Sequence, residues 1–201
     1  MVRRTGVVAL LCLALLLPAY APPAHAVAPV DVPRLGAVAK IYPHVKGGDL
    51  LPTDDPVTIY PRRCDGDPAV VRRAAGNQGD YFAPDYTPQT RRTPGLTVRS
   101  ARFPRMKQAR LYAARFDRWA RTCLRDQGQT SNVRFDVGLG DAGWGRSISL
   151  DDGGETTDAH LVLARKGTVV IMAFTTSADG TAPPRRKAVR LAALALRGAT
   201  R

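Results

Sequence analysis

Hydrophobic and polar positions recur with two different periods along this chain, and the change of period marks out its elements. Within residues 105–126, Ala109, Tyr112, Ala113, Phe116, Trp119, Ala120 and Cys123 fall on one side of a helix turning about 100° per residue. Lys107, Arg110, Arg118, Arg121 and Arg125 fall within an arc opposite. This spacing predicts an amphipathic helix that buries its aromatic side against a sheet and carries Cys123 on the buried face. Beyond Gly128 the period drops to two. Val133, Phe135 and Val137 alternate with Asn132, Arg134 and Asp136, and Ile148 and Leu150 alternate with Ser147 and Ser149. Residues 160–164 and 168–175 read as strong strands joined at Arg165, Lys166 and Gly167. Together these segments predict a four-stranded antiparallel meander with turns at 138–145, 151–158 and 165–167. Residues 183–197 close the chain as a helix, with Thr181 as N-cap and Ala188, Leu191, Ala192 and Ala195 as its packing face.

The first half is less regular. Residues 27–34 read as a flexible leader and residues 35–41 as a short helix or strand. Residues 57–60 read as a short strand, 68–75 as one or two helical turns, and 96–103 as a strand. Between the last two, Gly76, Gly79, Pro84, Pro88 and Pro94 interrupt residues 76–95, which are expected to form a long loop. That loop carries Tyr81, Phe82 and Tyr86 and is placed to fold over a pocket. The order of strand, helix, four strands, helix predicts a single α+β domain over residues 27–201: a mostly antiparallel sheet with its two main helices packed on one face.

The N-terminus changes the picture of compartment. Arg3 and Arg4 precede an apolar run at residues 6–17, and Ala24, His25 and Ala26 follow with small residues at the two positions a signal peptidase reads. A dozen helical residues reach about 18 Å, short of the roughly 30 Å hydrocarbon core of a bilayer. Residues 1–26 are therefore expected to be a cleaved secretory signal, leaving no integral membrane segment after processing. Cys12 lies inside the apolar run behind Leu10 and Leu11, which argues against a lipid-attachment site. Removal of the leader leaves Cys64 and Cys123 in an oxidising compartment, where an even count predicts one disulfide. Closing so long a loop contributes about 4 kcal/mol in the chain-entropy treatment. The competing reading is a thiol nucleophile, for which His44 and His160 are distant in sequence.

Charge narrows the partners. The full chain carries a formal +13, and +11 remains without the two leader arginines. Such a surface attracts anionic envelope polymers, acidic lipids or nucleic acid. The basic helix arc lacks interleaved aromatics for base stacking, and export argues further against a nucleic-acid role.

Candidate chemistry is sparse. The chain has no Gly-x-Ser-x-Gly nucleophile elbow and no penicillin-binding Ser-x-x-Lys with its partner motifs. His160, at the start of a strong strand, is the one candidate general base. Two cysteines and two histidines lack zinc spacing, and the acidic residues Asp151, Asp152, Glu155 and Asp158 do not follow an EF-hand pattern. No catalytic residue, metal or cofactor is assigned. Trp144, between Gly143 and Gly145, reads either as an aromatic on a loop tip able to stack on a ligand or as a core residue. Arg185, Arg186 and Lys187 place cations at the start of the last helix, against its macrodipole.

The run Phe116, Asp117, Arg118, Trp119, Ala120, Arg121, Thr122 and Cys123, the following strands through residues 160–170, and a terminal Ala/Leu helix resemble actinobacterial extracytoplasmic sensor-like domains of the PknH receptor-kinase type. The resemblance covers residues 96–197. It implies an antiparallel sheet with helices around a cleft that binds a ligand. This chain departs from the receptors in having neither kinase nor transmembrane helix, and one possible disulfide where the receptor domain has two. The expected function is a secreted, non-catalytic binding or sensor-like domain of the envelope. Trp144, Tyr81, Tyr86, Arg110, Arg118, Arg121 and Arg125 are its candidate ligand-binding residues, for an unknown small molecule or an anionic envelope polymer. The alternatives are a secreted hydrolase using His160 and adhesion to wall polymer through the basic helix face.

Overall fold

The computed structural model describes residues 27–28, 30–85, 95–123, 129–152, 155–177 and 184–201. The leader at residues 1–26, Tyr86, Arg125 and Thr181 lie outside the described residues. Helix α1 (Leu35–Ala39) and a 3₁₀ turn (Pro43–Val45) precede strand β1 (Asp49–Asp54). Strands β2 (Thr58–Ile59) and β3 (Ala69–Val70) form a small two-stranded ribbon of their own. Strands β4 (Ala75–Phe82) and β5 (Leu96–Arg102), helix α2 (Met106–Thr122), strands β6 (Gln129–Asp136), β7 (Ala142–Asp152), β8 (Glu155–Lys166) and β9 (Val169–Ser177), and helix α3 (Arg185–Ala199) complete the chain. The main sheet has seven strands in the order β1-β4-β5-β9-β8-β7-β6, all paired antiparallel. The α+β class and the antiparallel order of β6–β9 are as the periodicity predicts, but β7 and β8 also take in residues 142–145, 151–152 and 155–158, which it assigned to turns.

Three further features differ from expectation. The helices do not share a face. In β8, Leu161 and Leu163 pack with Tyr112 and Phe116 of α2, while the intervening Val162 and Ala164 pack with Leu191 and Ala195 of α3. Neighbouring strand residues point to opposite sides, so α2 and α3 cover opposite faces. Both faces of β8 and β9 are therefore apolar, and their contiguous hydrophobic runs are what a doubly covered strand requires.

Residues 76–95 are not a loop throughout. Ala75–Phe82 is strand β4, held between β1 and β5. Its glycines are sites of close approach: a Cβ at Gly79 would press on the Val32 side chain, and one at Gly76 on the Asp55 carbonyl oxygen. Finally, Ala69–Val70 pairs as β3 with β2 instead of forming helical turns.

Each face has its own core. Under α3, the fully buried Val98, Val162, Ile171 and Leu191 meet Val38, Tyr42 and Val45 from the N-terminal segment. Under α2, Phe103, Tyr112, Phe116, Trp144, Leu161 and Leu163 form a second core rich in aromatic contacts. Phe103 lies 5.2 Å from Tyr112 between ring centroids, and Phe116 lies 5.8 Å from Trp144. Helix α2 is fastened to the sheet edge by an ion pair. Asp117 accepts from the buried Arg146 at 3.0 Å and from Arg134 at 3.2 Å.

Candidate functional site

The α2 face of the sheet is only partly covered. Helix α2 and the β2–β3 ribbon leave a cleft of about 250 Å³ between themselves and the sheet. Its floor is Leu161, Met172 and Phe174, with Ile148 and Leu150 beside them on β7. One wall is Phe116 and Trp119 of α2, and Tyr60, just after β2, completes it. Tyr60 lies 4.8 Å from Phe116 and 4.7 Å from Trp119 between ring centroids.

The position of Tyr60 follows from a covalent link. Cys64 and Cys123 are disulfide-bonded, with Cα atoms 5.2 Å apart across a sequence separation of 59. Cys123 is buried at the end of α2 and Cys64 is exposed in the turn between β2 and β3. The bond ties the ribbon, which shares no strand pairing with the main sheet, to the helix whose rings Tyr60 touches. Burial raises the Tyr60 pKa above the ordinary phenol value, partly offset by the neighbouring Arg99 guanidinium. Tyr60 therefore stays neutral at physiological pH.

The far end of the cleft is polar. Gln78 of β4 and Thr97 and Arg99 of β5 line it, brought level by the β4–β5 register that sets Gln78 opposite Arg99 and Asp80 opposite Thr97. Thr97 Oγ1 donates to Asp80 Oδ1 at 2.6 Å, Gln78 Nε2 donates to Asp80 Oδ2 at 2.8 Å, and Arg99 Nε donates to Gln78 Oε1. Arg99 also lies 3.5 Å from Asp55 Oδ2. The arrangement is an apolar slot closed at one end by a braced cation, a surface suited to holding a molecule and lacking an evident nucleophile.

The residues singled out from sequence fall elsewhere. Trp144 is not on a loop tip: it lies within β7, buried against Phe116, with Arg146 over its ring at 5.6 Å. Tyr81 is buried on β4, where its hydroxyl donates to the Pro33 carbonyl at 2.6 Å, and burial raises its pKa. Arg110, Arg118 and Arg121 are exposed on the outer side of α2 and do not line the cleft. Tyr86 and Arg125 lie outside the described residues. His160 is on the opposite face of the sheet from the cleft, with Nδ1 3.1 Å from Ser147 Oγ and its ring edge-on to Phe135. Arg185 of α3 donates to the same Ser147 Oγ at 3.3 Å and covers Phe135 at 4.4 Å. The cleft residues Tyr60, Gln78, Thr97 and Arg99 were not anticipated. For Thr97 and Arg99 the signal was present: they alternate with the buried Leu96 and Val98 and must face the other side of β5.

Among the described residues no helix is long and apolar enough to cross a membrane. No known protein family matches the chain, and no curated protein does. Among solved structures the chain is similar to the extracellular domain of PknH from Mycobacterium tuberculosis, at 15% identity and a TM-score of 0.43, covering 85% of this chain and 96% of that one. It is also similar to LpqN, involved in cell envelope biogenesis of Mycobacterium tuberculosis, at 12% identity and a TM-score of 0.36, covering 76% and 92% respectively. Similarity at this level carries neither a ligand nor an activity to this chain.

Proposed function

We propose that this chain is an extracytoplasmic, non-catalytic binding domain whose ligand site is the cleft between α2, the β2–β3 ribbon and the sheet. One observation carries the reading: an apolar slot of about 250 Å³ whose lip is held by the only ribbon outside the main sheet among the described residues, itself anchored by a disulfide. Concave, mostly apolar sites with a few convergent polar groups are what small-molecule binding needs. The secretory leader read from residues 1–26 and the disulfide support the compartment.

Native mass spectrometry tests the function. Protein incubated with an envelope extract is expected to retain a small apolar molecule, and a Leu150→Trp variant, which fills the slot from its half-buried edge, is expected to lose it. Retention of nothing by the parent protein, or of the same molecule by both, would count against the cleft.

A second reading has its own support. Asp117 is the one acid on α2, and it is turned to Arg146 and Arg134. The outer Arg110, Arg118 and Arg121 have no ion-pair partner among the described residues. That face is suited to an anionic envelope polymer, and such adhesion would weaken as salt rises.

A further inference from the structure

We infer that the cleft selects a single-chain acyl compound with a carboxylate head, its chain on Leu161 and Phe174 and its head at Arg99. This deepens the binding function proposed above and rests on it.

The hydrogen-bond inventory at the polar end decides the head group. Asp80 spends both carboxylate oxygens on Thr97 and Gln78, and the Gln78 amide oxygen accepts from Arg99. The acceptors of the network are thus satisfied from within. A guanidinium has five N–H donors and a primary amide two. Arg99 uses Nε on Gln78 and contacts Tyr60, and Gln78 has one amide N–H left after Asp80. What the cleft offers a ligand is mainly donors, around a fixed positive charge. An acceptor head satisfies them, and a carboxylate does so with charge assistance and planar geometry matched to guanidinium. An ammonium head would bring a like charge to Arg99.

The counter-ion already present is replaceable. Asp55 sits 3.5 Å from Arg99, with both side chains about a third exposed (31% and 39%), and ion pairs that open to water are weak. An incoming carboxylate exchanges one carboxylate for another at Arg99 while its chain gains the apolar slot. The rest of the slot is uncharged, so the chain finds no competing polar group along Ile148, Leu150 and Met172.

Calorimetric titration of the purified protein with dodecanoate, dodecanol and dodecylamine, each below its micellar concentration, tests this. Dodecanoate is expected to bind most tightly and dodecylamine least. Arg99→Gln should weaken dodecanoate about tenfold or more, the scale of one lost charge-assisted contact, and leave dodecanol nearly unchanged. Asp55→Asn, which removes the competitor, should hold or strengthen dodecanoate. Equal binding of the three probes, or weakening by Asp55→Asn as great as by Arg99→Gln, overturns the carboxylate inference and leaves the cleft as a site. Binding of none of the three overturns the cleft itself.

Discussion

The rings of Tyr60 and Trp119 lie 4.7 Å apart between centroids, and each sits four residues ahead of one half of the Cys64–Cys123 disulfide. The covalent bond and the ring contact thus span the same two segments, one at the surface and one at the lip of the cleft. The ribbon itself has only two residue pairs, so the bond adds a covalent tether to the ring packing that seats Tyr60 on α2.

Reduction should therefore affect stability and binding together. Loss of a disulfide closing a loop of this length costs about 2–4 kcal/mol. The Cys64→Ser/Cys123→Ser protein, compared with the parent by chemical denaturation, should show that loss and a weakened response to any cleft ligand. Alkylation of native protein should leave both cysteines unmodified until reductant is added. Labelling of either without reductant would contradict the pairing.

Arg146 is buried, with only 4% of its side chain exposed, and Asp117 is its ion-pair partner. Removing one partner of a buried pair strands the other charge, at a cost of about 3–5 kcal/mol. Asp117→Ala should approach that loss in urea denaturation. The double variant Asp117→Ala/Arg146→Met should recover much of it, because the buried unpaired charge is then gone and Arg134, which also loses Asp117, is half exposed to water.

Gly145 on β7 is directly opposite Phe135 on β6, and a Cβ there would overlap the Phe135 ring. The ring fills the place of the missing side chain, then meets His160 and Arg185 beyond it. Gly145→Ala should destabilise the protein by about 1–3 kcal/mol, the range for overpacking. Adding Phe135→Leu should relieve part of that loss, read as a partial return of the thermal midpoint.

Asp141 braces the β8–β9 turn. It accepts from the Gly167 backbone N–H at 2.8 Å and from Arg165 at 2.9 Å, and chiefly the Gly167 bond lowers its pKa below the ordinary aspartate value. A carboxyl with a depressed folded-state pKa contributes stability that is fully present above its unfolded value and lost as pH falls through its folded one. The thermal midpoints of the parent and Asp141→Asn proteins should differ at neutral pH. They should converge as pH drops below about 4, the ordinary aspartate range. A gap that persists unchanged into acid would show that the brace does not depend on the charge.

The sequence was most legible where one period ran uninterrupted. The helical stripe of α2 translates directly into burial at Ala109, Tyr112, Phe116 and Ala120, and the alternation of β7 buries Ile148, whereas Val133 on the edge strand β6 stays exposed; the even cysteine count led to the disulfide. Strand β4 was hidden because Gly76, Asn77, Gly79 and Asp80 are individually poor strand formers. Its neighbours β1 and β5 supply the pairing, and its glycines allow close packing instead of breaking the chain. Trp144, for which loop tip and core were both open, is a core residue, since Gly143 and Gly145 make room for Val137 and Phe135 within a strand. The side on which each helix sits was recoverable from Leu161 through Ala164, a contiguous apolar run that calls for cover on both faces. The cleft itself was not, because its walls come from six elements and depend on which way a small ribbon is tied.

The opposed helices give the sheet the role of a partition. Leu161 belongs to the cleft side and His160 and Val162 to the other, so an occupant of the slot touches no residue packed beneath α3. Changes that tune affinity can accumulate on one side while the fully buried Leu191 and Ile171 go on setting the stability of the other. The same economy makes β8 intolerant of insertion: a single extra residue would exchange the lining of the two compartments from that point to the end of the strand.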